Sequence, residues 1–267
     1  MSTLKLIPLI VVLLSLSCKT KEHDSSPTQP QTKGQAISSD PAQHNKADTL
    51  LMEAYQAHGG NKYNYAHFSF DFRKKQYTFQ NRKDGYRYTV AYLDQGREIM
   101  DILENGKLTH LVDGLGVEMT EKDHAKYFEA INSVIYFATL PHKLNDKAVI
   151  KTYEGSTTIK GIAYDILGIT FEQKGGGKDH DDQFHYWINT ETKTIDYLAY
   201  NYQSGKGGVR FRSAYNPRTV AGIRFQDYIN YEAPVNTPLK QLPKLYEEGR
   251  LKELSKIELE HISAVRI

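Results

Sequence analysis

The densest group of potential metal ligands in the chain lies in one short segment. It comprises Asp179, His180, Asp181 and Asp182, and His185 follows three residues later. Carboxylate oxygens suit Ca²⁺ or Mg²⁺ and imidazole nitrogens suit Zn²⁺, so the cluster could serve a metal-assisted hydrolase. Its spacing matches neither an EF-hand loop nor a metalloprotease helix. We therefore interpret the segment as a solvated polar turn without a metal, and keep the metal-assisted hydrolase as an alternative function.

Cys18 is the only cysteine in the chain, and its thiol could accept a fatty acyl group. A single positive charge at Lys5 is followed by the apolar run 6–14, and Ser17 directly precedes the cysteine. This order is typical of a bacterial lipoprotein signal, in which the cysteine becomes the first mature residue. The sequence therefore predicts that residues 1–17 are a signal peptide and that Cys18 carries lipid, including palmitate.

Three arginines fall on one face of neighbouring predicted strands: Arg210, Arg212 and Arg224. On a concave face they would form a polar mouth that binds an anionic head group. On a convex face they would pair with Asp196 and Asp227 in a solvated ladder of opposite charges. We count the three as candidate ligand-binding residues, and both arrangements stay open.

A set of large apolar residues could line a binding cavity. Its members alternate along one predicted strand or recur at helical spacing: Phe68, Phe70, Phe72, Tyr127, Ile131 and Ile135. Such a cavity would hold a lipid or an acyl chain. The same spacing is typical of a solid core, so a scaffold or interaction protein without a cavity is a third possible function.

Composition excludes several classes of function. The chain has 267 residues and a mean hydropathy of −0.58, values typical of a globular body rather than a membrane-spanning one. The formal charge of +2 does not suggest nucleic-acid binding. The glycine-rich segments 175–178 and 205–208 lack the spacing of a phosphate-binding loop, so we expect no cofactor. The chain has neither a nucleophilic-serine elbow nor a second cysteine, and binding is therefore expected rather than catalysis.

The elements that must position these residues are mostly strands. Residues 18–46 are rich in Ser, Thr, Pro, Gln and Lys, which predicts a disordered tether, and 47–267 are predicted to fold as one domain. Pairs such as Asn105-Gly106 between apolar runs indicate antiparallel hairpins. One apolar helix is predicted over Thr120–Ala138. The expected fold class is α+β, mainly β, with a large curved antiparallel sheet, a half-barrel, wrapped around this central helix.

Four segments carry a resemblance to a known family. They are Gly59-Gly60, Asn132–Ala138, the stretch from Gly175 to Trp187, and Gly222–Tyr228. Together they resemble a family of uncharacterised lipoproteins from Gram-negative bacteria, for which the resemblance implies no catalytic residues. The organisation is also distantly similar to the lipoprotein carriers of the LolA/LolB type, half-barrels in which a helix plugs an apolar cavity that holds acyl chains.

These resemblances imply where the protein works. We expect a lipoprotein of the cell envelope that is anchored by its N-terminal lipid, at the outer membrane, facing the periplasm or the surface. Its concave sheet is expected to bind an apolar or amphipathic ligand, such as a lipid or an acyl chain.

Overall fold

The computed structural model describes residues 41–172, 182–203 and 207–265. Within these ranges the chain forms fourteen strands, three α-helices and several short 3-10 helices. The strands are arranged in two seven-stranded sheets, in which every neighbouring pair is antiparallel. The crossover helices that parallel strands require are therefore not needed.

The first helix, α1 (Pro41–His58), ends where the sequence predicted, at Gly59-Gly60. Both glycines have positive φ, at 137° and 56°, a conformation that glycine adopts without a Cβ penalty. The helix begins six residues before the predicted domain boundary at Ala47. Residues 41–46, the last part of the predicted tether, are therefore helical. Ala47, where the apolar pattern starts, is buried, whereas the helix itself begins at Pro41.

The first sheet is an antiparallel meander that the last strand of the chain completes. It contains β1 (His67–Phe72), β2 (Lys75–Arg82), β3 (Gly85–Asp94), β4 (Arg97–Glu104), β5 (Lys107–Val112), β6 (Leu115–Gly116) and β14 (Glu260–Ala264). Its strand order is β14-β1-β2-β3-β4-β5-β6. The predicted turn Asn105-Gly106 joins β4 to β5, and both residues have the positive φ that a two-residue hairpin requires.

The second sheet contains longer strands and is more deeply buried. It contains β7 (Val149–Ile159), β8 (Ile162–Phe171), β9 (Gln183–Asn189), β10 (Ile195–Tyr202), β11 (Gly208–Val220), β12 (Ile223–Ala233) and β13 (Lys252–Ile257). Its order is β13-β12-β11-β10-β9-β8-β7. One face packs against α1 and the other against α3 (Leu242–Glu247). Near-continuous apolar runs such as Tyr186-Trp187-Ile188 follow from this two-sided burial.

The two sheets meet where β13 leads into β14. These strands are consecutive in the chain but belong to different sheets. The carboxylate of Asp227 accepts a hydrogen bond from the Leu259 N–H at 2.9 Å and pairs with Arg218 at 2.8 Å. Arg218 also donates to the Leu259 carbonyl. Asp227 is only 2% exposed, so this buried carboxylate connects β12 to the segment that leads into β14.

The central helix, α2 (Glu121–Ala138), begins as the sequence predicted. Thr120 is its N-cap, and its Oγ1 accepts a hydrogen bond from the Asp123 N–H at 3.1 Å. This bond satisfies one of the backbone donors that the first turn of a helix leaves unpaired.

The helix contacts both sheets from between them. Ile131 and Ile135 are fully buried against the aromatic face of the first sheet. Tyr136 and Phe137, on the adjoining side of the helix, pack against the second sheet. The predicted fold class, a mainly β antiparallel half-barrel around a helix, is confirmed, and its strands are divided between two hydrogen-bonded ladders.

Candidate ligand-binding site

A cavity of about 530 Å³ lies between α2 and strands β7–β9, and we call it the larger cavity. Its apolar wall combines Tyr136 and Phe137 of the helix with Val149, Phe171 and Phe184 of the sheet. Polar side chains of both charges complete the lining: Lys126, Glu129, Asn132, Ser133, Lys143 and Asp146. The lining is therefore amphipathic, with aromatic side chains on both the helix and the sheet.

A hydrogen-bonded pair of tyrosines holds the side chain of Tyr136, which lines this cavity. The hydroxyl groups of Tyr136 and Tyr186 lie 3.0 Å apart. Burial raises the pKa of Tyr186 well above its ordinary value, so its phenol stays protonated and can share this hydrogen bond. The Tyr136 ring also lies 5.2 Å from the Phe137 ring, nearly perpendicular to it. The apolar wall is thus held by defined contacts rather than by shape alone.

A second cavity of about 230 Å³, the smaller cavity, borders the adjoining side of α2. Its described lining comes from the end of β1 and the turn after it, α2, strands β11–β13 and the link to β14: Phe72, Arg73, Ser133, Val134, Phe137, Ala138, Arg212, Gln226, Tyr228, Asn230, Ile257 and Leu259. Ser133 and Phe137 line both cavities. These two residues therefore form the wall that separates the two spaces.

Arg212 is the most unusual group in the smaller cavity, because it is a buried cation. It is only 8% exposed, and its guanidinium carbon lies 4.0 Å from the centre of the Phe137 ring. One amino group donates to the Tyr200 hydroxyl at 3.0 Å, while Nε has no hydrogen-bond partner. On the neighbouring strand β12, Asn230 lies directly opposite Arg212. The Oδ1 atom of Asn230 also has no hydrogen-bond partner.

The structure distributes the predicted ligand-binding residues over several environments. Four of them are buried in the core around the first sheet and line neither cavity: Phe68, Phe70, Ile131 and Ile135. Phe72 and Arg212 both line the smaller cavity. These two are the candidates that the fold brings together beside α2.

The remaining three candidates lie elsewhere and line neither cavity. Tyr127 stacks on the His110 ring at 5.0 Å. Arg210 donates to the Tyr202 hydroxyl at 2.8 Å, and Arg224 donates to the amide oxygen of Gln226 at 3.1 Å.

Beneath Tyr127 lies an acid–base pair that sequence reasoning did not single out. Nδ1 of His110 and a carboxylate oxygen of Asp101 are 2.5 Å apart, and they occupy opposite positions on β4 and β5. Asp101 is buried, and the Tyr127 ring covers the imidazole. The pair is closed off from both cavities, so it has no substrate space of its own there.

Some cavity residues were missed by the sequence analysis. Val134 and Phe137 belong to the predicted apolar helix, and their helical spacing was the available signal. Nothing in the local pattern marked Asn230, which lines the smaller cavity, or Tyr200, which contacts Arg212 without lining a cavity, because both positions arise from pairing between strands.

The predicted metal cluster is only partly described. Asp179, His180 and Asp181 lie outside the described residues, while Asp182 is buried immediately before β9. His185 lies on the opposite side of the second sheet from α2, 6.0 Å from the Trp187 ring, and burial lowers its pKa to about 4. Within the described ranges, no three His, Cys, Asp or Glu side chains are arranged to hold a metal ion.

The predicted lipidation site, Cys18, also lies outside the described residues. In the part of the chain that the structure describes, no helix has both the length and the apolar character needed to cross a bilayer.

The chain belongs to the family of unknown function DUF6503, whose model matches residues 37–259. This match confirms the sequence-based expectation of an uncharacterised family. No curated protein matches the chain.

Several solved structures are similar in overall arrangement. A DUF1329 family protein from Desulfovibrio piger is 12% identical, with 83% of this chain and 93% of that chain covered, at a TM-score of 0.44. A LolA superfamily protein from Nitrosomonas europaea is 8% identical, with 83% and 94% covered, at 0.47. A domain named for outer membrane lipoprotein sorting, from Vibrio parahaemolyticus, is 7% identical, with 83% and 93% covered, at 0.46. With TM-scores below 0.5 and such low identity, these likenesses carry no argument about ligand or reaction.

Proposed function

We propose that this DUF6503 member is a lipid-anchored protein of the cell envelope, at the outer membrane, that binds a lipid or acyl chain beside α2. The observation that carries the proposal is the larger cavity between the helix and the second sheet. Its volume of about 530 Å³ falls within the range of about 300–1,000 Å³ found for pockets that bind small molecules. Aromatic side chains from both the helix and the sheet line it, as a site for an apolar chain requires.

The energy available from such a site is sufficient for binding. Removing one methylene group from water gains about 0.8 kcal/mol, so a ten-carbon segment gains about 8 kcal/mol. Association costs at least about 4 kcal/mol in lost freedom of motion. The remainder, at most about 4 kcal/mol, corresponds to a dissociation constant of about 1 mM before any polar contact is added. The polar residues of the cavity, among them Lys126 and Lys143, suit a ligand with a polar end.

The anchoring part of the proposal rests on the sequence around Cys18. A single acyl chain gives only marginal membrane binding, whereas two or three chains on one cysteine give stable anchoring. In cells fed an alkyne analogue of palmitate, the wild-type chain is expected to be labelled and Cys18→Ser is expected to remain unlabelled. An unlabelled wild-type protein would overturn the anchoring proposal but leave the cavity proposal standing.

Ligand binding can be tested by native mass spectrometry of the full chain released from membranes. We expect the wild-type protein to retain lipid. Ser133→Trp places an indole at the wall shared by the two cavities and should remove that lipid. Ser156→Trp makes the same change at an exposed position of β7 and should retain it. Wild-type protein that carries no lipid, and gains none when incubated with dodecanoate, would refute the proposal.

A further inference from the structure

We propose that Arg212 binds the head group of an anionic amphiphile, with a carboxylate or phosphate at the Arg212 side of the smaller cavity. This inference rests on the proposed function and names the chemical class of its ligand. It begins from charge: the described residues that line the smaller cavity include Arg73 and Arg212 and no Asp or Glu. The larger cavity, in contrast, is lined by two lysines and two acids. The preference for an anion therefore belongs to the smaller cavity.

The surroundings of Arg212 differ from those of a structural buried arginine in the same sheet. Arg218 is paired with the buried carboxylate of Asp227 at 2.8 Å. Among the described residues, no carboxylate forms such a pair with Arg212. A cation that loses water without gaining an opposite charge is costly, so an anion that enters this cavity removes a cost already present in the fold.

The aromatic neighbours of Arg212 stabilise its charge without using up its donors. The Phe137 ring lies 4.0 Å and the Tyr200 ring 5.3 Å from the guanidinium carbon. Contacts with ring faces attract the cation but do not use the N–H groups at the edge of the guanidinium plane. One amino group is used by the Tyr200 hydroxyl, while Nε is buried without a partner. A carboxylate or phosphate oxygen can accept a hydrogen bond from an N–H group at this edge.

A second polar group faces the same space. Asn230 lies directly opposite Arg212 on β12, and its Oδ1 is also buried without a partner. Rotation of this amide presents its two N–H donors instead, which would add a hydrogen bond to an anion. Gln226 cannot serve in this way, because its Nε2 already donates to the Ile195 carbonyl and the Tyr228 hydroxyl.

The rest of the smaller cavity requires the ligand to have an apolar part. Phe72, Val134, Ile257 and Leu259 face the space between Arg212 and the helix. A volume of about 230 Å³ is below the usual range for a whole small-molecule ligand, so it accommodates the head group and the first part of a chain. Phe137 lines both cavities, so a longer chain would have to pass this side chain to reach the larger one.

The inference can be tested with the full chain in phosphatidylcholine nanodiscs at pH 8. The probes are dodecanoic acid carrying a diazirine in its chain and the methyl ester of the same compound. Cross-linking is measured by mass spectrometry as a function of probe concentration. For the wild-type protein, half-saturation with the acid is expected at a concentration about 10- to 100-fold lower than with the ester, as one charge-assisted hydrogen bond allows.

Matched variants locate the effect. Arg212→Gln should abolish the preference for the acid, while Arg212→Lys should keep part of it because the charge remains. Arg210→Gln changes an arginine two residues away on the same strand, one that lines neither cavity, and should keep the full preference. Melting temperatures identify any variant that fails to fold. If Arg212→Gln fails to fold, the test rests on Arg212→Lys and on the ratio of acid to ester half-saturation in the wild type.

The remaining outcomes separate the possible ligands. Displacement of the acid probe by dodecyl phosphate but not by inorganic phosphate supports an amphiphile, whereas equal displacement by both would reduce the site to one for free anions and overturn the proposal. Equal half-saturation of wild type by acid and ester would overturn it as well. If acid and ester label the wild type equally, the ester can still be tested on Ser133→Trp. Loss of ester labelling in that variant would leave the proposed acyl-binding function intact.

Discussion

Acid is expected to unfold this protein through histidines that are buried in the neutral form. His58 is the clearest case, because it is 2% exposed and its Nε2 accepts a hydrogen bond from the Ile195 N–H at 3.1 Å. Burial lowers its pKa to about 3, and the charge of Arg224 adds to this effect. An imidazolium carries a proton on Nε2 and could not accept that bond. The folded protein therefore keeps His58 neutral, while the unfolded chain protonates it near pH 6.5.

The size of the effect follows from proton linkage. Because the pKa is depressed in the folded state, stability is complete above pH 6.5 and falls as the pH decreases towards the folded-state value. The loss is about 1.4 kcal/mol per pH unit for each such histidine, so His58 alone costs about 2 kcal/mol between pH 6.5 and 5. Burial also lowers the pKa values of His142 and His185 to about 4. Together the three remove about 6 kcal/mol, against a typical total stability of about 5–15 kcal/mol.

Urea unfolding of the full chain between pH 7.5 and 5 measures this dependence, with the fluorescence of the buried Trp187 as the signal. His58→Gln removes one of the three groups, and we expect it to reduce the slope of unfolding free energy against pH by about one third. His124→Gln removes an exposed imidazole and controls for the substitution itself. A wild-type slope below about 1.4 kcal/mol per pH unit between pH 6 and 5, or an unchanged slope in His58→Gln, would refute the reasoning.

Three further substitutions should lower the free energy of unfolding in the same urea assay at pH 7.5. Thr120→Ala removes the N-cap of α2 and should cost about 1 kcal/mol. Gly168→Ala would place a Cβ 2.5 Å from a threonine oxygen and should cost about 1–3 kcal/mol, whereas Gly116→Ala meets open space and should cost less. Ile135→Ala removes most of a fully buried side chain of α2 and should cost about 2–5 kcal/mol. Ile162→Ala, at an exposed site, should cost under about 1 kcal/mol. Equal costs for the two variants would contradict the packing described.

Local signals in the sequence were sufficient to predict the elements of this fold. The two-residue turn Asn105-Gly106, the alternation over Phe68–Phe72 and the Thr120 cap each depend on neighbours within a few residues. The link between the two sheets instead involves a contact over a long sequence distance, because the Asp227 carboxylate accepts a hydrogen bond from the Leu259 N–H, 32 residues away. No pattern in either segment specifies that contact, so a single continuous sheet was the natural expectation.

The cavity could not be distinguished from the core for a related reason. Helical spacing places Ile131 and Val134 on one apolar side of α2, and both positions satisfy the same periodicity. In the structure Ile131 is fully buried against the first sheet, whereas Val134 borders the smaller cavity. The difference is one of position around the helix relative to two sheets at once. Periodicity along one element identifies an apolar face, but it does not show which part of that face packs against another element and which part borders a cavity.

The same limit explains why the sequence treated Arg210 and Arg212 alike. They are two residues apart on β11, so their side chains point to the same face of the sheet. Arg210 donates to the hydroxyl of Tyr202, while Arg212 lies against the Phe137 ring of α2 and is only 8% exposed. The burial of one charge and not the other is decided by where the helix crosses the strand. The proposed anion site at Arg212 would therefore be a property of the helix–sheet packing, and we expect any movement of α2 that separates Phe137 from Arg212 to change the affinity for an anion.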